Sequence, residues 1–117
     1  MSKVIIVEGK TDKERLKEIL DEPVEILCSY GTMSYEKLEE WATQLEEAEI
    51  YLLVDADDSG EKIRKLLNQE LPNVHHLYTH RMYREVATTP LDVLTGILEH
   101  AHFEVKIGGP EDGYESY

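Results

Sequence analysis

Two hydrophobic patterns alternate along this chain. Short segments dense in Val, Ile and Leu occur at residues 3–7 (KVIIV), 24–28 (VEILC), 50–54 (IYLLV) and 74–78 (VHHLY). Their length and branched side chains predict buried strands. Between them, apolar residues fall three or four apart: Leu16, Ile19 and Leu20; Leu38, Trp41, Ala42 and Leu45; Ile63, Leu66, Leu67 and Leu71; Leu91, Leu94, Ile97 and Leu98. That spacing predicts one-sided helices. Glu36, Lys37, Glu39, Glu40, Glu46 and Glu47 supply the wet face of the second. Thr11 to Glu14 and Asp58 to Glu61 have the spacing of capping boxes, Ser34 is placed to cap the second helix, and Thr89-Pro90 reads as a cap followed by a first-turn proline.

Strand and helix alternate throughout, which predicts an α/β fold around a parallel sheet. Right-handed crossovers and helices on both faces are met economically by the strand order 2-1-3-4. The order reverses between strands one and three, and ligands of open α/β sheets bind at such a switch point, beyond the carboxyl ends of the strands. Residues 1–107 read as a single domain. Residues 108–117, GPEDGYESY with its preceding glycine, carry no apolar period and read as a flexible acidic tail.

Composition changes this picture in two respects. The chain has 117 residues, 32% of them charged, and a net charge of −13. Such a surface argues against loose, charge-driven binding to phosphates, which depends on basic patches. Cys28 is the only cysteine, so no internal disulfide can form, and its apolar setting makes it a small core residue. No apolar run approaches the ~20 residues of a membrane span, and the N-terminal apolar run is too short for a signal peptide. A cytoplasmic protein is expected.

The chemistry gathers at two predicted strand ends. Strand one runs into Glu8-Gly9-Lys10, and strand three into Asp55-Ala56-Asp57-Asp58-Ser59-Gly60. In the order 2-1-3-4, Glu8 faces Asp55 and Asp57 across the switch point. Carboxylates so placed raise one another's pKa unless a cation intervenes. Mg²⁺ suits the set, because it takes one or two protein carboxylates and bridges to a substrate phosphate. Asp58 reads as a helix cap rather than a ligand, and Gly9 and Gly60 leave room for close backbone approach.

IIVEGKTD followed by LLVDADDSGEKIRK resembles the Toprim (topoisomerase–primase) domain over about residues 3–80. The similarity is strongest to the Toprim cores of bacterial primases and of ribonucleases that mature ribosomal RNA. Their Glu-Gly-x-x-Asp pattern is matched by Glu8, Gly9 and Asp12, and SYGTMS, with Gly31 and Thr32, resembles their loop after strand two. The resemblance implies a compact Rossmann-like fold and Mg²⁺-dependent making or breaking of phosphodiester bonds, with Mn²⁺ as an alternative ion. It implies Glu8 as the acid/base group, and Asp55 and Asp57 as metal ligands with Glu8 sharing the ion. Hydrolysis of RNA or DNA is the expected activity. The alternative is a non-catalytic metal- and nucleic-acid-binding module within a replication, repair or RNA-processing complex.

Other acidic α/β folds fit less well. Receiver domains place an acidic pair after strand one and a single Asp after strand three, the reverse of this pattern. Haloacid-dehalogenase phosphatases place Asp-x-Asp after strand one. The densest basic stretch, THRMYREV, puts His80, Arg81 and Arg84 after strand four, and with Lys10 they are the expected grip on nucleic acid. Arg64 is a further candidate, whereas Lys62 and Lys65 read as solvated helix charges. A partner protein would supply the remainder of the grip.

Overall fold

The computed structural model describes residues 2–31, 33–79 and 82–106. Its strands are β1 (Lys3–Val7), β2 (Glu25–Cys28), β3 (Glu49–Leu53) and β4 (His75–Leu77), and its helices are α1 (Lys10–Ile19), α2 (Tyr35–Gln44), α3 (Asp58–Glu70) and α4 (Leu91–His100). The expected tail, residues 108–117, lies outside the described residues. The four strands form one sheet in the order β2-β1-β3-β4. Every pairing is parallel: Val7 lies opposite Cys28, Ile6 opposite Leu52, and Leu53 opposite Leu77.

Alternation along the strands sends side chains to two cores. Val4, Ile6, Ile50, Leu52 and Val54 point to one face, where Leu38 and Trp41 of α2 and Ile63 and Leu67 of α3 cover them. Ile5, Val7, Tyr51 and Leu53 point to the other, under Leu16 of α1 and Leu94 and Leu98 of α4. Strands buried on both faces carry continuous apolar runs, which is why β1 and β3, the central pair, show the densest ones. Cys28 is buried among the second group. Among the described residues no helix is long and apolar enough to cross a membrane.

Three of the four helix starts differ from expectation. Helix α1 begins after Gly9, whose amide donates to Asp12 Oδ2 at 3.1 Å, so the Thr11 to Glu14 pair caps nothing. Helix α3 is capped by Asp57, whose Oδ1 accepts from Gly60 N at 2.7 Å, while Asp58 is the first helical residue. Ser34 caps α2 as expected, its Oγ accepting from Lys37 N at 3.2 Å. Thr89 does not cap α4: its hydroxyl donates to Glu85 O at 2.6 Å, and Pro90 takes the cap position.

Candidate functional site

The carboxyl ends of β1 and β3 are adjacent, and the Glu8 side chain of one meets the backbone of the other. Asp55 N donates to Glu8 Oε1 at 2.9 Å. Asp55 in turn accepts at Oδ1 from Val86 N, 2.8 Å away, in a single 3-10 turn spanning Val86–Thr88. Asp57 Oδ1 takes the Gly60 amide at the start of α3. Glu8, Asp55 and Asp57 therefore share one design. One oxygen of each is fixed by a backbone amide, and no described residue donates a hydrogen bond to the other.

Close packing enforces the arrangement. A Cβ on Gly60 would lie 2.0 Å from the Asp55 carbonyl oxygen, so α3 can begin where it does only with glycine there. Gly9 differs from expectation, since the nearest protein atom to its missing Cβ is Asp12 Oδ2 at 3.9 Å. The loop from β3 is braced once more by Ala56 N, which donates to Arg84 O at 2.7 Å.

Burial raises the Glu8 carboxyl above its ordinary range; the Asp55 amide offsets part of this, and Asp55, Asp57 and Asp12 push it further up. Asp55 is raised by burial and by Asp57 and Glu85, against the opposing Val86 amide. Asp12, itself buried, is raised by burial and by Asp55 and Glu85, against the Gly9 amide and Arg15. Carboxylates raised first by burial and then by one another are stabilised in their charged form by an added cation.

The donor set fits a hard divalent ion of the Mg²⁺ type. All the donors are carboxylate oxygens, and Mg²⁺ needs only one or two of them beside water and substrate oxygens. Among the described residues no group of three or more His, Cys, Asp or Glu side chains is placed to hold a metal, so the structure shows neither a closed zinc-type cage nor a formed three-carboxylate cage of Glu8, Asp55 and Asp57. Ser29 adds a further polar group. It follows the β2 residue paired with Val7, so it sits level with Glu8, and its Oγ is buried without a partner among the described residues.

The basic candidates divide. Lys10 is exposed in the first turn of α1, one residue past Gly9. Arg84 is exposed and its Nε donates to Ala56 O at 3.4 Å, beside the Asp55–Asp57 loop. His80 and Arg81 lie outside the described residues. Arg64 is not a surface grip: it is 5% exposed, donating to Leu77 O at 2.6 Å and facing His76 Nδ1 at 3.0 Å. Lys62 and Lys65 are exposed, as expected. Sequence reasoning missed the Val86 amide, which comes from 31 residues away and leaves no local pattern.

Comparisons with known proteins identify the family of the chain. The family model for the Toprim domain matches residues 3–83. YusF of Bacillus subtilis, a protein described as uncharacterised, is 46% identical over 105 residues, covering 90% of this chain and 72% of YusF. Ribonuclease M5 of Mycoplasma genitalium is 34% identical over 76 residues, 64% of this chain; the match spans only 42% of that enzyme's length. A small TOPRIM domain protein from Bacillus stearothermophilus has a similar solved structure, with a TM-score of 0.88, 48% identity, and coverage of 92% of this chain and 91% of that one. A family match over most of the chain, together with a solved TOPRIM domain structure of the same fold at 48% identity, places this protein in the Toprim domain family.

Proposed function

We propose that this protein processes nucleic acid by Mg²⁺-dependent hydrolysis of phosphodiester bonds in RNA or DNA. The observation that carries the reading is the common geometry of Glu8, Asp55 and Asp57, each fixed through one oxygen at the switch point of the sheet. Similarity to a ribonuclease M5 supports the substrate class. Asp55 and Asp57 would hold the ion, with Glu8 at its edge. The bound ion supplies stabilisation of negative charge developing on phosphate oxygens.

Glu8 is suited to moving a proton. Its carboxyl is raised toward neutrality by burial and by three neighbouring carboxylates, the condition in which a group can both hold and release a proton. The Asp55 amide fixes Oε1, which leaves Oε2 to face an attacking water or a leaving oxygen. Lys10, next to Gly9, and Arg84, beside the Asp55–Asp57 loop, would draw the flanking phosphates in.

A second reading is a non-catalytic module that holds metal and nucleic acid for a partner. The net charge of −13 favours it, because so acidic a chain has little phosphate grip of its own. Incubation of end-labelled RNA and DNA with Mg²⁺ or Mn²⁺ separates the two. Cleavage that is lost in Glu8→Gln and in Asp55→Asn supports the enzyme. Binding without cleavage supports the module, and cleavage surviving both substitutions refutes the site.

A further inference from the structure

Two exposed tyrosines flank the carboxylates along the carboxyl edge of the sheet. Tyr30 lies two residues beyond the end of β2, and Tyr78 one residue beyond the end of β4. In the order β2-β1-β3-β4, Glu8 and Asp55 therefore fall between them. Three strand spacings separate the two outer strands, about 14 Å. The rings are 69% and 60% exposed.

Each ring is held out by a specific device. Tyr30 has a φ of 54°, a left-handed conformation uncommon for any residue but glycine and costly for one with a bulky side chain. It is kept there by its own amide, which donates to Glu8 O at 2.7 Å, so the ring's position is tied to the backbone of the proposed acid/base residue. Strain of this kind persists where surrounding structure imposes it and clusters at functional sites. Tyr78 rests on the Arg64 guanidinium, 4.0 Å from the ring centroid. Arg64 is buried and pinned by Leu77 O, so it backs the ring as a fixed plate.

We infer that Tyr30 and Tyr78 are base-stacking platforms, and that the substrate is a single-stranded nucleic acid drawn across the sheet edge with its target phosphate between them. This rests on the nucleic-acid reading above and deepens it. Bases of a duplex already stack on their neighbours, whereas unpaired bases can splay onto aromatic side chains. Stacking also supplies affinity that needs no positive charge, which a chain of net charge −13 lacks. Lys37, whose Nζ lies 6.0 Å from the Tyr30 ring, adds a cation beside that platform.

The test uses short RNA and DNA strands of about eight nucleotides, carrying 2-aminopurine, alone and annealed to a complement, with Mg²⁺ present. Stacking should quench the fluorescent base, and single strands should bind more tightly than duplex. Tyr30→Ala and Tyr78→Ala should each weaken single-strand binding by about tenfold, while Tyr30→Phe and Tyr78→Phe stay within about twofold. Tyr35→Ala is the control, because Tyr35 is similarly exposed (62%) but borders a cleft against Leu66 and Glu70 of α3. Single-strand binding unchanged in both alanine variants, an equal loss in the phenylalanine variants, or a preference for duplex would overturn the inference while leaving the nucleic-acid reading intact. A wild-type protein that binds neither strand nor duplex would overturn both. The Tyr30 ring is largely exposed, so the Tyr30→Ala result stands even if Tyr78→Ala unfolds.

Discussion

The amide of Asp55 is bonded to the carboxylate of Glu8 at 2.9 Å, although 47 residues separate them in the chain. One hydrogen bond thus closes the gap between β1 and β3 and brings an acid/base candidate against a metal-ligand candidate. It also places like charges together, and this gives the site a stability signature.

Without metal, neutralising that site should stabilise the fold. Asp55→Asn keeps an oxygen that can accept from Val86 N while removing the charge that raises Glu8. Its melting temperature in EDTA should exceed the wild type by about 1–4 °C. In Mg²⁺ the wild type should gain stability and the variant should not, since only an ion bound to the folded state shifts the equilibrium. A variant less stable than wild type in EDTA would show that the charges do not repel.

The pH dependence follows from the same groups. Glu8, Asp12 and Asp55 all have folded-state pKa values raised above their ordinary ones. The folded protein then binds protons more tightly than the unfolded chain, so the stability these groups contribute is complete below their ordinary range, about pH 4, and is lost as pH rises through the raised values. Urea midpoints in EDTA should therefore gain from these groups on acidification from pH 7 toward pH 5. The gain should shrink in Glu8→Gln, and identical pH profiles for the two proteins would contradict it.

Asp57 has two separable duties. Asparagine caps helices about as well as aspartate, so Asp57→Asn should cost only a few tenths of a kcal/mol while losing Mg²⁺ stabilisation. Asp57→Ala should cost about 1 kcal/mol through the lost bond to Gly60 N, and lose the ion as well. Chemical denaturation with and without Mg²⁺ distinguishes them.

Much of the architecture was legible in the sequence, because β1 and β3 are buried on both faces and declare themselves as apolar runs. The sheet order followed from connection rules, and the carboxylates followed from the order. The caps were less legible. Asp57 and Asp58 are adjacent carboxylates, each three residues before an eligible partner, and the structure turns Asp57 in to accept from Gly60 N, where the helix start packs against the Asp55 carbonyl. The same one-residue ambiguity moved the start of α4 from Thr89 to Pro90. Arg64 read as a surface charge on its helix; it is buried because β4 returns against α3, a tertiary event with no local trace.

Gly60→Ala should be the most damaging single-methyl change at the site. Its Cβ would strike backbone rather than a side chain that can swing away, so a loss of about 3 kcal/mol is expected. Gly9→Ala should cost less than about 1 kcal/mol, given the 3.9 Å clearance there. Urea unfolding of the two variants measures the difference, and equal losses would place the steric constraint elsewhere.

Arg64 should resist its conservative replacement. Its fork serves Leu77 O and His76 Nδ1 at once and backs the Tyr78 ring, which a lysine ammonium cannot reproduce. Arg64→Lys should cost about 1.5–3 kcal/mol in denaturant unfolding. A neutral effect would mean the clamp on β4 contributes nothing.

The central claim is that Glu8, Asp55 and Asp57 form one cation site. Paramagnetic broadening by Mn²⁺ in the amide NMR spectrum tests it most directly. The signals of Gly9, Asp55 and Gly60 should broaden first, at the lowest Mn²⁺ added, recover when Mg²⁺ competes, and stay sharp in Asp55→Asn. Broadening centred on other residues, or unchanged in Asp55→Asn, would contradict the site.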